Sequence, residues 1–166
     1  MKILSFDIEC AAQCPDKFPD PSTDPIIQIA CITKVEGSSQ SSKTCFAVGT
    51  CVKFDDVNLV VVSDEKELLI KWAEFVQFVD PDVLVGYNII KFDLLYIFKR
   101  SQIGGYVHVL GNSVCRFQDI PAESYKGKRH MRAVVEIKGR VVQILFQSIS
   151  LSSYTLNNVA QHFLGH

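Results

Sequence analysis

The chain has 166 residues, 48% hydrophobic and 21% charged, with a net charge of −1, which is the size of one globular domain with a sizeable core. The near-neutral balance excludes a uniformly basic nucleic-acid binder, and every apolar run is far shorter than the roughly 20 residues of a membrane span. Asp7 and Glu9 interrupt any leader-like apolar stretch at the start. A single domain over 1–166, soluble, intracellular and without membrane association, is expected.

Six cysteines at 10, 14, 31, 45, 51 and 115 show no C-x-x-C pair and no histidine partner spacing. That predicts reduced, mostly buried thiols rather than a zinc site or a disulfide framework. Charge is segregated: residues 1–98 hold 8 Lys/Arg against 15 Asp/Glu, a net of −7, and residues 99–140 hold 9 against 3, a net of +6. One part suits cations and the other phosphates, as in an enzyme acting on nucleic acid, although such segregation also arises by chance.

In chain order, residues 2–9 (KILSFDIE) predict a first strand. The proline-rich loop CPDKFPDPSTDP follows, where four prolines forbid regular structure. PIIQIACITKV predicts a second strand and KTCFAVGTC a third, joined by the polar turn GSSQSS. After a short extended piece, Ser63 is the expected cap of a helix from Asp64 to about Val79, whose Leu68, Leu69, Trp72, Phe75, Val76 and Val79 share a face. Pro81 stops it, and DVLVGY reads as a buried parallel strand. KFDLLYIFKRS predicts a second helix directly afterwards. Residues 104 to about 138 form a Gly-, polar- and base-rich insertion, then EIKGRVVQILFQ returns as a strand and SYTLNNVAQHFLGH as a helix. The order implies an α/β fold, a mixed sheet covered by helices. Residues 141–166 carry no formal charge, so the natural protein is expected to continue.

Asp7 and Glu9 alternate on the first strand and therefore share a face, Cα atoms roughly 6.6 Å apart at ~3.3 Å per residue. Two carboxylates buried in so apolar a strand would be costly unless compensated by a bound cation, and their oxygen chemistry suits Mg²⁺ or Mn²⁺. D-x-E alone is common, and the same residues also read as a strand-end loop contact and a solvent-facing acid. GYNIIKFDLLYIFKR adds Gly86, Asn88, Phe92 and Asp93 at the carboxyl end of the buried strand, where open α/β sheets place their sites. Here too plainer roles stand beside the functional one: Phe92 as core, Asn88 as a loop cap, Asp93 as a first-turn acid complementing the helix dipole.

FDIEC (6–10), DPIIQI (24–29), DPDVLVGYNIIKFDLLYI (80–97), GRV (139–141) and SYTLNNVAQHFLG (153–165) together resemble the 3′→5′ proofreading exonuclease domain of family B replicative DNA polymerases, above all of the delta type. The resemblance runs through nearly the whole chain in order. It implies an RNase H-like fold of the four-carboxylate (DEDD) class. It also implies that Asp7 and Glu9 (first motif) and Asp93 (second motif) are catalytic and ligate two divalent cations, while Asn88 and Phe92 hold a frayed 3′ end of single-stranded primer DNA. Two such ions about 3.5–4 Å apart activate water and stabilise the leaving oxygen. The basic tract YKGKRHMR, with Lys126, Lys128, Arg129 and Arg132, falls where the family carries a strand-separating β-hairpin; it reads equally as a solvated loop. The implied partners are a polymerase domain in the same parent chain, a sliding clamp and accessory subunits, and the implied location is the nucleus.

The chain departs from the pattern in two places. The family's third motif, which carries the fourth carboxylate, is not matched within 166 residues, so the domain is expected to be C-terminally incomplete and weak or inactive by itself. Ile144 stands near the place of a usual aspartate after GRV. His162 reads as a surface histidine rather than a substitute ligand. The leading expectation is a metal-dependent exonuclease domain; a non-catalytic DNA-binding scaffold of the same fold, and a free-standing RNase H-like nuclease, are the alternatives.

Overall fold

The computed structural model describes residues 1–14 and 16–106 in full, and the backbone of 116–121, 131–136 and 141–144. Strands β1 (Lys2–Cys10), β2 (Ile26–Val35) and β3 (Ser41–Val48) form the expected meander, followed by β4 (Asn58–Val62), helix α1 (Glu65–Val79), β5 (Val83–Gly86) and helix α2 (Asp93–Ile103). Strands β6 (Arg116–Pro121), β7 (Met131–Glu136) and β8 (Val141–Ile144) complete the described elements. Six strands make one mixed sheet in the order β4-β3-β2-β1-β5-β8, so the α/β class read from the sequence holds. β1 sits inside it, antiparallel to β2 and parallel to β5.

Alternation along β1 sends Leu4, Phe6 and Ile8 into the core, none more than 5% exposed. The apolar stripe of α1 meets them: Leu68, Leu69, Trp72 and Val76 are buried, Phe6 packs on Trp72 at 5.2 Å between ring centroids and Phe46 on Phe75 at 5.4 Å. Burying one such side chain stabilises by about 1.5–3 kcal/mol, so this seam dominates the fold's energetics.

The ends of the helices differ from the sequence expectation for local reasons. Asp64, not Ser63, caps α1, accepting from the Glu67 N–H at 2.8 Å, while the Glu67 carboxylate reaches back to the Ser63 N–H and hydroxyl at 2.8 Å. This is a reciprocal capping arrangement one residue later than expected, with Asp64 three residues before the Glu67 N–H it caps and Ser63 held by the returning Glu67 carboxylate. α2 starts at Asp93 rather than residue 91, because Lys91 and Phe92 both donate backbone N–H to the Asn88 carbonyl and close a tight turn first. β3 ends at Val48, ahead of Gly49 at φ 80°, rather than running to residue 51.

The five described cysteines are free, but only Cys31 is buried; Cys14 is exposed and Cys10, Cys45 and Cys51 are intermediate, against the expectation of mostly buried thiols. Cys14 and Cys51 lie in polar loops, where little packs over a side chain. Within the basic insertion, β6 and β7 pair antiparallel from Arg116↔Glu136 to Pro121↔Met131. Arg132 is on β7 opposite Ile120. Lys126, Lys128, Arg129 and the expected helix at 153–166 lie outside the described residues. Ile144 ends β8 in register with Gly86. No helix among the described residues is long and apolar enough to cross a membrane.

Candidate active site

The acidic residues gather at the carboxyl ends of β1 and β5, but not with the burial the sequence suggested. Asp7 and Glu9 fall on the outward phase of β1 and are exposed, because Phe6 and Ile8 between and beside them take the core phase. The buried carboxylate is Asp93, 1% exposed.

Three local features bring Asp93 to β1. β5 is short, pairing with β1 only from Ile3↔Val83 to Ser5↔Val85, which leaves the end of β1 without a strand on that side. The chain then turns sharply. Gly86 is required at the corner, since a Cβ there would lie 2.1 Å from Ile89 Cγ2 and 2.9 Å from the Phe6 carbonyl oxygen. Asn88 takes the left-handed conformation, φ 55°, which asparagine tolerates better than most residues. Asp93 enters as the first residue of α2, and its Oδ1 accepts the Ile8 N–H at 3.2 Å. The carboxylate thereby stands in for the missing strand partner.

The Asp93 carboxyl also lies beside that of Asp7, close enough for the two to compete for one proton. Burial, then the Asp7 charge beside it, pushes the Asp93 carboxyl up to about 7, and partial desolvation raises Asp7 as well, although that residue is exposed overall. Two carboxyl groups in such contact cannot both ionise without a positive partner: they share a proton or hold a cation. That donor set fits a hard divalent ion, with all-oxygen ligands on rigid elements. Glu9, two residues along on the same face, is beside the pair but not joined to it. Among the described residues no three His, Cys, Asp or Glu side chains are grouped closely enough to hold a metal.

Phe92, next to Asp93, is half-buried. Its ring lies edge-on between Phe18 at 4.8 Å and Tyr96 at 5.3 Å. Phe18 comes from the proline-rich loop and is 77% exposed. Between loop and helix a pocket of about 200 Å³ opens, lined by Phe18, Pro19 and Pro21 on one side and Phe92, Leu95 and Lys99 on the other. The loop itself is tied down. Arg100 donates to both Glu65 oxygens, Nε to Oε1 at 2.8 Å and Nη2 to Oε2 at 2.5 Å, and Nη1 to the Pro21 carbonyl at 2.8 Å. The Tyr96 hydroxyl donates to the Asp24 carbonyl at 2.8 Å. Cys10, beside Tyr96, has its thiol pushed up to about 11, mainly by burial, so it is neither a nucleophile nor a thiolate ligand at neutral pH.

Asp7, Asp93, Asn88 and Phe92 are thus brought together, with Glu9 adjacent. Phe18, Glu65, Arg100 and Asp24 were not anticipated. The only signal for Phe18 was a bulky aromatic stranded in a polar, proline-rich loop; the Glu65–Arg100 pair joins residues 35 apart, beyond any local pattern.

The chain matches the family described as DNA polymerase family B, exonuclease domain, over residues 1–159. It is 39% identical to the DNA polymerase delta catalytic subunit of Caenorhabditis elegans, 37% to that of Oryza sativa subsp. japonica and 35% to that of Bos taurus, in each case over 99% of this chain. It spans about 16% of the length of these curated relatives.

Proposed function

The chain belongs to the exonuclease domain family of family B DNA polymerases, of the delta type, and from that membership we propose that it removes mispaired nucleotides from the 3′ end of DNA by metal-dependent phosphodiester hydrolysis. The observation that carries the reading is the junction of Asp7 with Asp93 at the end of β1, fixed by the Ile8 N–H. It concentrates negative charge at one point and orients it on the backbone of two elements. Asp7 and Asp93, joined by Glu9 if it turns in from the same face of β1, would hold two divalent cations, Mg²⁺ or Mn²⁺, which when bound supply water activation and stabilisation of the leaving 3′ oxygen.

The chain's own groups do the rest. The Ile8 N–H keeps the Asp93 carboxylate in one orientation. Phe92 presents a ring to an unpaired base without reading its identity, which proofreading of any mismatch requires. Asn88 offers side-chain hydrogen bonds to the terminal nucleotide. Selectivity for errors follows from the substrate, because an unpaired end has already lost pairing and stacking and is cheaper to separate from its template. Lys126, Lys128, Arg129 and Arg132 bind phosphates near the strand junction. A polymerase domain in a longer parent, a sliding clamp with accessory subunits, and work in the nucleus complete this proposal.

A second reading, a non-catalytic DNA-binding scaffold, is favoured by one observation: Glu9 is not gathered with Asp7 and Asp93 into a three-ligand group. Calorimetric titration with Mn²⁺ separates the two. Saturable binding that disappears in Asp7→Ala and Asp93→Asn supports the enzyme, and no binding by the wild type supports the scaffold. With 5′-labelled single-stranded DNA and Mn²⁺ the 166-residue chain is expected to trim slowly at best, since only three carboxylates match the family motifs; rapid 3′ laddering abolished by Asp7→Ala overturns that expectation.

A further inference from the structure

The run DPIIQI, residues 24–29, has no part in the Asp7–Asp93 pair, yet it breaks the regular pairing of β2 with the end of β1 that carries the acids. Glu9 lies opposite Gln28, but Cys10 lies opposite Ile26, so Ile27 is an extra residue, a bulge on β2. Alternation from Ile29 would send Ile27 inward; the bulge instead lets Ile26 take the core place at 0% exposed and turns Ile27 out at 41%. Such a bulge sharpens the local twist and re-aims neighbouring side chains, and the residues facing it are Glu9 and Cys10. It is pinned on both sides of Pro25. Glu65 Oε1 on α1 accepts the Ile26 N–H at 2.8 Å, while Arg100 of α2 holds the same carboxylate. The Tyr96 hydroxyl of α2 donates to the Asp24 carbonyl at 2.8 Å, and the Pro25 carbonyl accepts the Ala11 N–H at 2.9 Å.

Gln28, just past the bulge, is in register with Glu9 and shares its face of the sheet. The Cβ atoms of such a directly opposed pair are roughly 4.5–5.5 Å apart, so an amide on one strand reaches a carboxylate on the other. On its β3 side Gln28 faces Ala47, whose methyl group offers it nothing polar. We propose that Gln28 is a positioning residue for Glu9, and that the bulge pinned by Glu65 and Tyr96 sets where Glu9 stands, so that this third acid turns toward Asp7 and Asp93 when a divalent cation occupies their end of β1. The Gln28 amide N–H donates to one Glu9 oxygen and leaves the other for the cation. Outer partners of this sort orient a ligating carboxylate, and Gln28, Glu65 and Tyr96 act here through Glu9. The inference deepens the nuclease reading and rests on its cation site, so its test must separate the two.

Mn²⁺ is titrated calorimetrically into the 166-residue chain, with urea unfolding measured alongside. Gln28→Ala, at a half-buried position, is expected to keep the urea stability and to weaken Mn²⁺ binding about tenfold, the lower end of the loss when an outer partner of a metal ligand is removed. Tyr96→Phe, which removes only the hydroxyl, should weaken it in the same direction. Glu9→Gln should lose at least as much as Gln28→Ala, and the Glu9→Gln/Gln28→Ala double variant should bind no more weakly than Glu9→Gln itself, because the amide has nothing left to orient. Losses that multiply in the double variant, or wild-type Mn²⁺ affinity in well-folded Gln28→Ala or Tyr96→Phe chains, overturn the inference. Wild-type affinity in Glu9→Gln overturns it too, while leaving the Asp7–Asp93 site in place; no Mn²⁺ binding by the wild type removes that site and takes this inference with it.

Discussion

Asp93 and Ile8 are 85 residues apart in sequence and 3.2 Å apart as acceptor and donor, so a carboxylate at the head of a helix completes the hydrogen bonding of a strand. The same carboxylate lies beside that of Asp7 and is pushed up to about 7. Structure and chemistry therefore share one group, and its protonation is coupled to folding.

Asp93 binds its proton more tightly in the fold than at its ordinary value of 3.8, and Asp7 is raised in the same sense. Their contribution to stability is fully present below about 3.8 and is lost as pH climbs through 7. Asp20, Asp24, Asp56 and Glu67 are lowered by hydrogen bonds, so theirs is lost only as pH falls below the ordinary carboxylate range, outside this window. Without divalent ions the wild-type melting temperature should drop by roughly 3–6 °C between pH 5 and 8 relative to Asp93→Asn, a shift of about 1–2 kcal/mol for this chain length. Mn²⁺ at pH 8 should restore it. A wild-type profile parallel to that of Asp93→Asn, measured by calorimetry, contradicts the coupling.

Asn88 has two separable roles. Its φ of 55° asks for a residue that accepts the left-handed region, and its side chain is the one proposed above to meet the terminal nucleotide. Asn88→Ala should cost about 1–2 kcal/mol through backbone strain alone. Asn88→Gly should keep the turn and the melting temperature while weakening single-strand binding severalfold. If the glycine variant binds DNA like the wild type, the side chain has only a conformational duty.

Gly86→Ala would drive a methyl group into Ile89 and the Phe6 carbonyl. Overpacking of this kind costs about 1–3 kcal/mol. Because Ile89 starts the turn that delivers Asp93, Mn²⁺ affinity should fall further than urea-measured stability predicts. Truncating Ile89 in the same chain should return part of the affinity; no return means the carbonyl clash dominates.

Replacing Lys126, Lys128, Arg129 and Arg132 by alanine should weaken DNA binding at low salt. It should also flatten the dependence of log K on log salt, by ~0.7 for each single-strand phosphate that is no longer neutralised. An unchanged slope would assign the tract to a solvated loop.

How far the sequence could be read depended on the range of the interaction. Period-two alternation placed β1 and put Asp7 and Glu9 on one face of it, and the 3.6-residue stripe placed α1 on the sheet, since both patterns are local. The same alternation also implied that Asp7 and Glu9 point away from the core, but the apolar surroundings suggested buried charge, and the strand phase prevailed. That Asp93 would be the sunken carboxylate was not legible, because it depends on β5 ending at Gly86 and on a turn that delays α2 by two residues. Lys91 and Phe92 were given to the helix for want of any signal of the Asn88 turn. The Glu65–Arg100 tie and the placement of Phe18 are tertiary facts, invisible to any window of neighbouring residues.

The span between Ile8 and Asp93 has a consequence during synthesis and folding. The β1–β2–β3 meander can close early from near neighbours, whereas the carboxylate junction waits until α1 and β5 have crossed over and the turn has set. In a chain whose β5 and Asn88 turn are not yet in place Asp7 and Asp93 lie apart, so the cation site proposed for them exists only in the folded sheet and not in either segment by itself.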